Sequence, residues 1–600
     1  MINRPTDTIR SKQKKQAGLL ALFFLLLPVV CGLLPDTAFA NNVSVSNVKL
    51  QNLDAAAGTI EIKFDVSWDN YFNGTDANDQ AFFDRAWVFA KFYRADTGVW
   101  DHVPLSTGGT VAAYNTTDKT GITADGVGAF LKPGANQTFV WQYTHVPVTL
   151  TIASPCVVTY TNHGLPANSP ITFSTTGALP TGITAGNTYY VKAPTANTFN
   201  ISTSPGQANV NTSGSQSGQQ RINAPAIMFG DNVQVKVFAI EMVYIPQGAF
   251  TVGSGGTEAG RFREGATTNT PYEITTEGAI SIANTAGNLW GVSTSGNSTI
   301  GTTGTLPVAF PKGYNGFFVM KYETTQGQYR DFLNSLTRAQ QNNRIYTQNS
   351  NYFTFYNSST TVNYRNGIRN PNPVPASPTP ITFGCDLNNN GVFNEASDGE
   401  WVGCNYPTYY DARAYLDWAG LRFMTELEFE KAARGGGVTP VADAYAWGTT
   451  DVTAATGLTD SGTKNETVTP SGANTAYNNP SAIGGPLRAG FAATAASNRV
   501  QSGASYYGVM DLSGNNWEKV ISVGSTDGRA YTGLHGDGCL ASDGAGNVTG
   551  WPTYNGQGLR GGGFYDSSLV YQLLSNRTNG VWTDSGRNQN VGFRGARTAA

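Results

Sequence analysis

The residues best suited to hold a hard cation stand in two short loops. In CDLNNNGVFNEASDGEWVGC, residues 385–404, Asp386, Asn388 and Asn390 alternate ahead of Gly391, with the carbonyl of Val392 next in line. That is the first half of an EF-hand-like loop, in which carboxylate, amide and carbonyl oxygens surround calcium. The second half departs from it. Ser397 stands where a bidentate Glu is needed, leaving Glu395 or Asp398 to close the shell. An Asn-rich β-turn is the competing reading. In DLSGNNWE, residues 511–518, the carboxylates of Asp511 and Glu518 bracket a turn at Gly514 whose carbonyls can face inward. Here the alternatives are calcium and a glycine turn with solvated acids.

Soft or nucleophilic chemistry has less to work with. Cys385 and Cys404 bracket the first loop; in an oxidising compartment they pair best, and closing a loop of that size contributes about 3 kcal/mol. Cys156 and Cys539 lie in different modules and the sequence does not pair them. The four histidines, His102, His145, His163 and His535, have no HExxH or triad context. His163, before Gly164, reads as a turn hydrogen-bonder. No Walker or dinucleotide glycine pattern occurs.

The elements that must carry these loops are of two kinds. TIEIKFDVSW alternates Ile60, Ile62, Phe64, Val66 and Trp68, the period of a half-buried strand. AWVFAKFY, FVWQY and NVQVKVFAI read likewise, and predict an N-terminal β-sandwich over 41–146 and 222–240. Between these strands, residues 147–221 change texture: they are rich in Thr, Ser, Asn and Gly and almost without charge. CVVTYTNHGLPANSPITFSTTGALPTGITAGNTYYVKAPTANTFNIST reads as short strands and turns, a small inserted β-module. Downstream, TTQGQYRDFLNSL carries Thr325 and Gln328 at capping-box spacing, and TELEFEKAARGG carries Thr425 and Glu428. YYDARAYLDWAG adds a helix stopped at Gly420. Three capped helices among Gly- and Asn-rich segments predict an α+β domain over 241–600.

Bulk properties set the address. The 600 residues exceed one core, so several domains are expected. With 13% charged residues and a net charge of −3, there is no basic footprint, and nucleic acid is excluded as a partner. Arg4, Arg10, Lys12, Lys14 and Lys15 precede the apolar run AGLLALFFLLLPVVCGLL, and DTAFA places small residues at Ala38 and Ala40. This predicts a signal peptide over 1–40 rather than an anchor. No transmembrane span follows it, so the mature chain is expected to be secreted or at the cell surface, with the periplasm as alternative.

The phrases MVYIPQGAFTVGS, FFVMKYETTQGQYRDFL, YDARAYLDWAGLRFMTELEFEKAARGG, YAWG, GVMDLSGNNWE, LRGGGF and VGFRGAR fall in order over most of residues 241–598. Together they resemble the formylglycine-generating enzyme, or sulfatase-modifying factor, family. The inserted module, through HGL, TGALPTGITAGNTYYV and TFNIST, resembles a β-module of phage tail-fibre proteins. The family resemblance implies a C-type-lectin-like fold stabilised by calcium, with Asp511, the Gly514 and Asn516 carbonyls and Glu518 as the carried-over ligands.

The same resemblance implies an oxidase that converts a substrate cysteine to formylglycine with copper on two thiolates. Setting the glycines of RGGGF in register puts Asp566 and Tyr571 at the cysteine positions, and no cysteine follows Cys539. Soft Cu(I) is not held by carboxylate or phenol in place of thiolate. The expectation is therefore a family member without the oxidase chemistry, serving noncatalytic recognition, adhesion or surface assembly. Phe564, Tyr565, Asp566 and Tyr571 form the candidate binding surface for an extracellular glycan or protein, the competing reading being that Phe564, Leu569 and Leu573 are simply core. The alternatives are an enzyme of the same fold and a ligand-binding segment diversified by a retroelement.

Overall fold

The computed structural model describes residues 43–599 apart from 55–58, 95–98, 143–145, 161–162, 164, 166, 176, 219, 224–233, 267–268, 293–299, 301, 350–351, 355–361 and 371–373. The export signal expected over 1–40, and His145, lie outside the described residues. Among the described residues, no helix is long and apolar enough to cross a membrane.

The alternating segments form strands. Thr59–Ser67 buries Ile60, Ile62, Phe64 and Val66 on one face and lies between Ser44–Asp54 and Gly134–Gln142 in a four-stranded sheet. Its inner aromatics meet a second sheet: Trp141 packs on Phe92 of strand Ala81–Arg94 with ring centroids 4.7 Å apart. That second sheet does not stop at the expected domain boundary. Ala81–Arg94 pairs antiparallel with Val235–Ile245, which pairs in turn with Phe317–Met320, and this strand with Gly595–Thr598.

The boundary predicted between residues 240 and 241 therefore falls inside one continuous strand, and the N-terminal strands extend the sheet of the C-terminal domain. The physical cause is that VKVFAI and EMVYI are both apolar enough to be buried throughout Val235–Ile245. Hydrogen bonds fasten the junction further. The Trp87 indole donates to the Ala419 carbonyl at 2.7 Å, and the Lys91 ammonium to the Trp418 carbonyl at 2.8 Å. Both carbonyls end helix Tyr409–Trp418, where a cation is favoured by the helix dipole. One apolar cluster runs from Val43 to Phe593.

Residues Val146–Asn223 form a closed six-stranded barrel inserted between Gly134–Gln142 and Val235–Ile245. Val148, Val158, Ile171, Phe173, Val191, Phe199, Ile201 and Ile222 fill its own core. His163 is buried there and its Nδ1 accepts from the Leu165 amide at 3.0 Å, a local structural bond.

Helices Gln326–Leu333, Tyr409–Trp418 and Glu426–Arg434 each begin with a full capping box, at Thr325–Gln328, Thr408–Asp411 and Thr425–Glu428. Each box satisfies amides at a buried helix start that water does not reach. The last helix is bound by charge. Glu426 accepts from Arg577 and Glu430 from Arg560 and Arg434, all five side chains being buried.

Candidate functional site

Strand Trp517–Ile521 is the backbone of the site. It pairs antiparallel with Gln557–Arg560 and parallel with Val591–Gly592. Alternation sends Glu518 to one face and Trp517 to the other.

On the Glu518 face, the expected calcium loop is tied down by the protein itself. The Arg594 guanidinium grips Glu518 Oε1 through Nε at 2.7 Å and through Nη2. It also donates to the carbonyls of Met320, Lys321 and Met510. Asp511 Oδ2 accepts from the Gly490 amide at 2.6 Å. Glu323 accepts from the Asn516 amide and from the Asn515 and Asn516 side chains at 2.8–2.9 Å. Gly514 adopts φ 94°, and a Cβ there would meet Thr475 Oγ1 at 2.2 Å, so only glycine fits this turn.

Three carboxyls thus share a dry region. Burial pushes Glu518 up to about 7 against the pull of Arg594. Glu323 is held well above its ordinary value by burial and by Asp511 and Glu518, and Asp511 is raised by burial. Two buried oxygens here have no hydrogen-bond partner, Glu518 Oε2 and Asn516 Oδ1. They fit a cation, the Asn516 atom being a side-chain oxygen rather than the expected carbonyl. The acids are not solvated, contrary to the simple turn reading. Glu323 was invisible as a site residue in the sequence, where it is one acid before a capping box.

The opposite face holds Asp566 and Tyr571, the residues singled out by the register of RGGGF. Asp566 Oδ2 accepts from the Gly563 amide at 2.7 Å, its carboxyl also bonds the Trp517 side chain, and Asn590 Nδ2 reaches Oδ1 at 3.5 Å. Burial raises this carboxyl above its ordinary value. Tyr571 packs against Trp517 with ring centroids 6.2 Å apart, beside Leu559, Val591 and Trp582. A carboxylate spent on backbone and indole, next to a phenol in an apolar cluster, offers Cu(I) no soft donor; these residues do not fit copper. Upstream, burial pushes the Cys385 and Cys404 thiols above their ordinary value, away from the thiolate form a metal needs.

The candidate binding surface is divided by the fold. Phe564 is core, not surface: it is 1% exposed and packs with Ala455, Leu487 and Phe491. The alternative reading of Phe564 as core therefore holds, although no periodicity marks the inner side of this irregular loop. Tyr565 is 43% exposed. Its ring stands edge-on to Tyr364 at 5.4 Å, and the two side chains are hydrogen-bonded. Tyr364 and Arg365 both have positive φ, 45° and 57°, as do Asn478 and Asn479, whose amides donate to the Asp566 and Phe564 carbonyls. Left-handed non-glycine residues on both flanks mark a strained rim around Tyr565. Tyr364 and the Asn478–Asn479 pair were not foreseen from sequence.

The first cation loop closes on itself. Asp386 accepts from the Asn390 and Gly391 amides, Asn388 Oδ1 from the Asn390 amide, and Asn390 Oδ1 from the Val392 amide. The Arg369 guanidinium lies on Asp386 Oδ2. The expected disulfide is corrected: Cys385 and Cys404 are both free thiols. Each is accommodated as a small buried apolar group, and the Cys404 thiol faces the Asn405 carbonyl at 3.8 Å.

Strands outnumbering helices, short capped helices set among long ordered loops, and a Trp-Glu strand clamped by a C-terminal Arg define a strand-rich scaffold of the sulfatase-modifying type. The chain belongs to the sulfatase-modifying factor enzyme 1-like domain family, whose match spans residues 229–599 and so takes in the whole of the strand that crosses residue 240. No curated protein matches the chain.

Proposed function

We propose that this chain is an exported, noncatalytic recognition, adhesion or surface-assembly protein on a sulfatase-modifying factor scaffold. The observation that carries the reading is Asp566. At the position of a metal-binding thiol, its carboxylate is consumed by the Gly563 amide and the Trp517 side chain, so the site is internally satisfied. The exposed Tyr565 with Tyr364 then offers the adjacent rim to a glycan or protein ligand, a rigid aromatic surface among small polar groups.

Calcium belongs to the same reading as a structural ion at residues 511–518. Asp511, the Gly514 and Asn516 carbonyls and Glu518 are its carried-over ligands, and Glu518 Oε2 and Asn516 Oδ1 are the unspent acceptors. The test is direct. Purified protein with copper and a cysteine-containing sulfatase peptide is expected to form no aldehyde above the protein-free background. Turnover at enzyme-like rates defeats the proposal. A glycan and protein binding screen, run with and without chelator, identifies the ligand class.

A further inference from the structure

The loop from Asp386 to Asp398 has oxygen donors left over after its own hydrogen bonds are counted. Asp386 Oδ1, Asn388 Oδ1 and Asn390 Oδ1 each accept one backbone amide, at 3.0, 3.0 and 2.7 Å, and each keeps a second lone pair. Glu395 Oε2 stands over the same side chains, receiving Asn390 Nδ2 at 2.7 Å and Asn388 Nδ2 at 3.5 Å. These bonds alone describe a turn and point to no ligand.

The independent observation is Asp398. It is fully buried, yet its Oδ1 has no hydrogen-bond partner. Its other oxygen accepts the Glu395 amide at 2.8 Å, and its backbone carbonyl accepts the Leu387 amide at 3.2 Å, so both ends of the loop are tied to this residue. An unpartnered buried carboxylate oxygen is costly unless a cation or ordered water meets it. Charge points the same way. Asp386, Glu395 and Asp398 are three acids, and Arg369 on Asp386 offsets one of them. Asn394 is excluded from the shell, because its side-chain oxygen already accepts from Arg330 and from the Cys385 amide.

We infer that residues 386–398 bind one calcium ion through Asp386, Asn388, Asn390, the Val392 carbonyl and Asp398, Glu395 being held by the Asn388 and Asn390 side-chain amides. Asp398 replaces the closing Glu of an EF-hand loop and is supplied one residue later than Ser397, which instead accepts Asn388 Nδ2. Among the described residues no three His, Cys, Asp or Glu side chains group as a metal site. The shell therefore carries two carboxylates, Asp386 and Asp398, and depends otherwise on amide and carbonyl oxygens, which favours calcium over softer ions. The consequence reaches beyond the loop. The Glu400 and Val402 carbonyls that follow it accept the first amides of helix Gln326–Leu333, so the ion fixes the segment that caps this helix.

The experiment uses the full chain, stripped of metal and titrated with CaCl2 by calorimetry, with Glu-specific proteolysis after Glu395 as the local readout. Wild type is expected to take up one calcium more than Asn390→Ala, and calcium is expected to slow cleavage after Glu395 at least tenfold in wild type only. Asn390 is exposed and bonds only within the loop, so this variant keeps the fold; Asp398→Asn is expected to behave likewise. Equal stoichiometry in wild type and Asn390→Ala, or cleavage after Glu395 indifferent to calcium, overturns the inference. Equal protection by magnesium overturns the assignment of the ion. The residue 511–518 loop does not enter the cleavage readout, so the two calcium sites are judged separately.

Discussion

The two faces of strand Trp517–Ile521 have had opposite fates. On the Glu518 face a dense set of buried charges is intact: Arg594 holds Glu518, Glu323 holds Asn515 and Asn516, and nothing reaches solvent. On the Trp517 face Asp566 and Tyr571 are absorbed into local hydrogen bonds and packing. The two faces are therefore built differently. The framework lives on the buried side, where one lost partner leaves a stranded charge.

The largest effect is expected where a charge would be stranded. Arg594→Met removes the cation from a buried carboxylate and frees three carbonyls, and should cost about 3–5 kcal/mol in urea unfolding. A loss below about 1 kcal/mol would show that the Glu518 face does not organise the domain. Next comes a pH effect on the same pair. Glu518 is raised to about 7 in the folded chain from an ordinary 4.5. Between these values the folded state holds a proton that the unfolded state has released. This group's contribution to stability therefore falls as pH rises from about 4.5 to about 7, by about 3 kcal/mol at most. The stability difference between wild type and Glu518→Gln, followed across that window, reads this term free of other groups; a flat difference contradicts it.

What the sequence could tell of this arrangement follows from the range of each signal. The helix starts were legible because a capping box is written within four residues, as at Thr325–Gln328 and Thr425–Glu428. The strand faces were legible from alternation in TIEIKFDVS. The shared sheet was not, because the pairing of Ala81–Arg94 with Val235–Ile245 joins residues far apart in the chain across the inserted barrel, and no local pattern encodes a partner. Asp566 and Tyr571 were singled out only through the glycine register of the family resemblance. Phe564 was placed on the wrong side, and Glu323 and Tyr364 were missed, since loop residues carry no period and their partners are supplied by distant segments.

The smallest stability effect is expected at the rim, and it separates recognition from packing most sharply. Tyr565 is exposed where its neighbour Phe564 is core, and the ring contacts described for it are those with Tyr364 and Phe564. Tyr565→Ala should therefore change unfolding stability by less than about 0.5 kcal/mol, the ordinary range for a surface substitution. If the rim is the recognition surface, the same change should weaken the ligand found in the binding screen at least tenfold, about 1.4 kcal/mol or more, because exposed aromatics carry a large share of binding energy in such surfaces. Titration of that ligand against wild type and Tyr565→Ala gives the comparison. Unchanged affinity with unchanged stability would move recognition away from this face, while the organising role of the Glu518 face would stand on the Arg594 result alone.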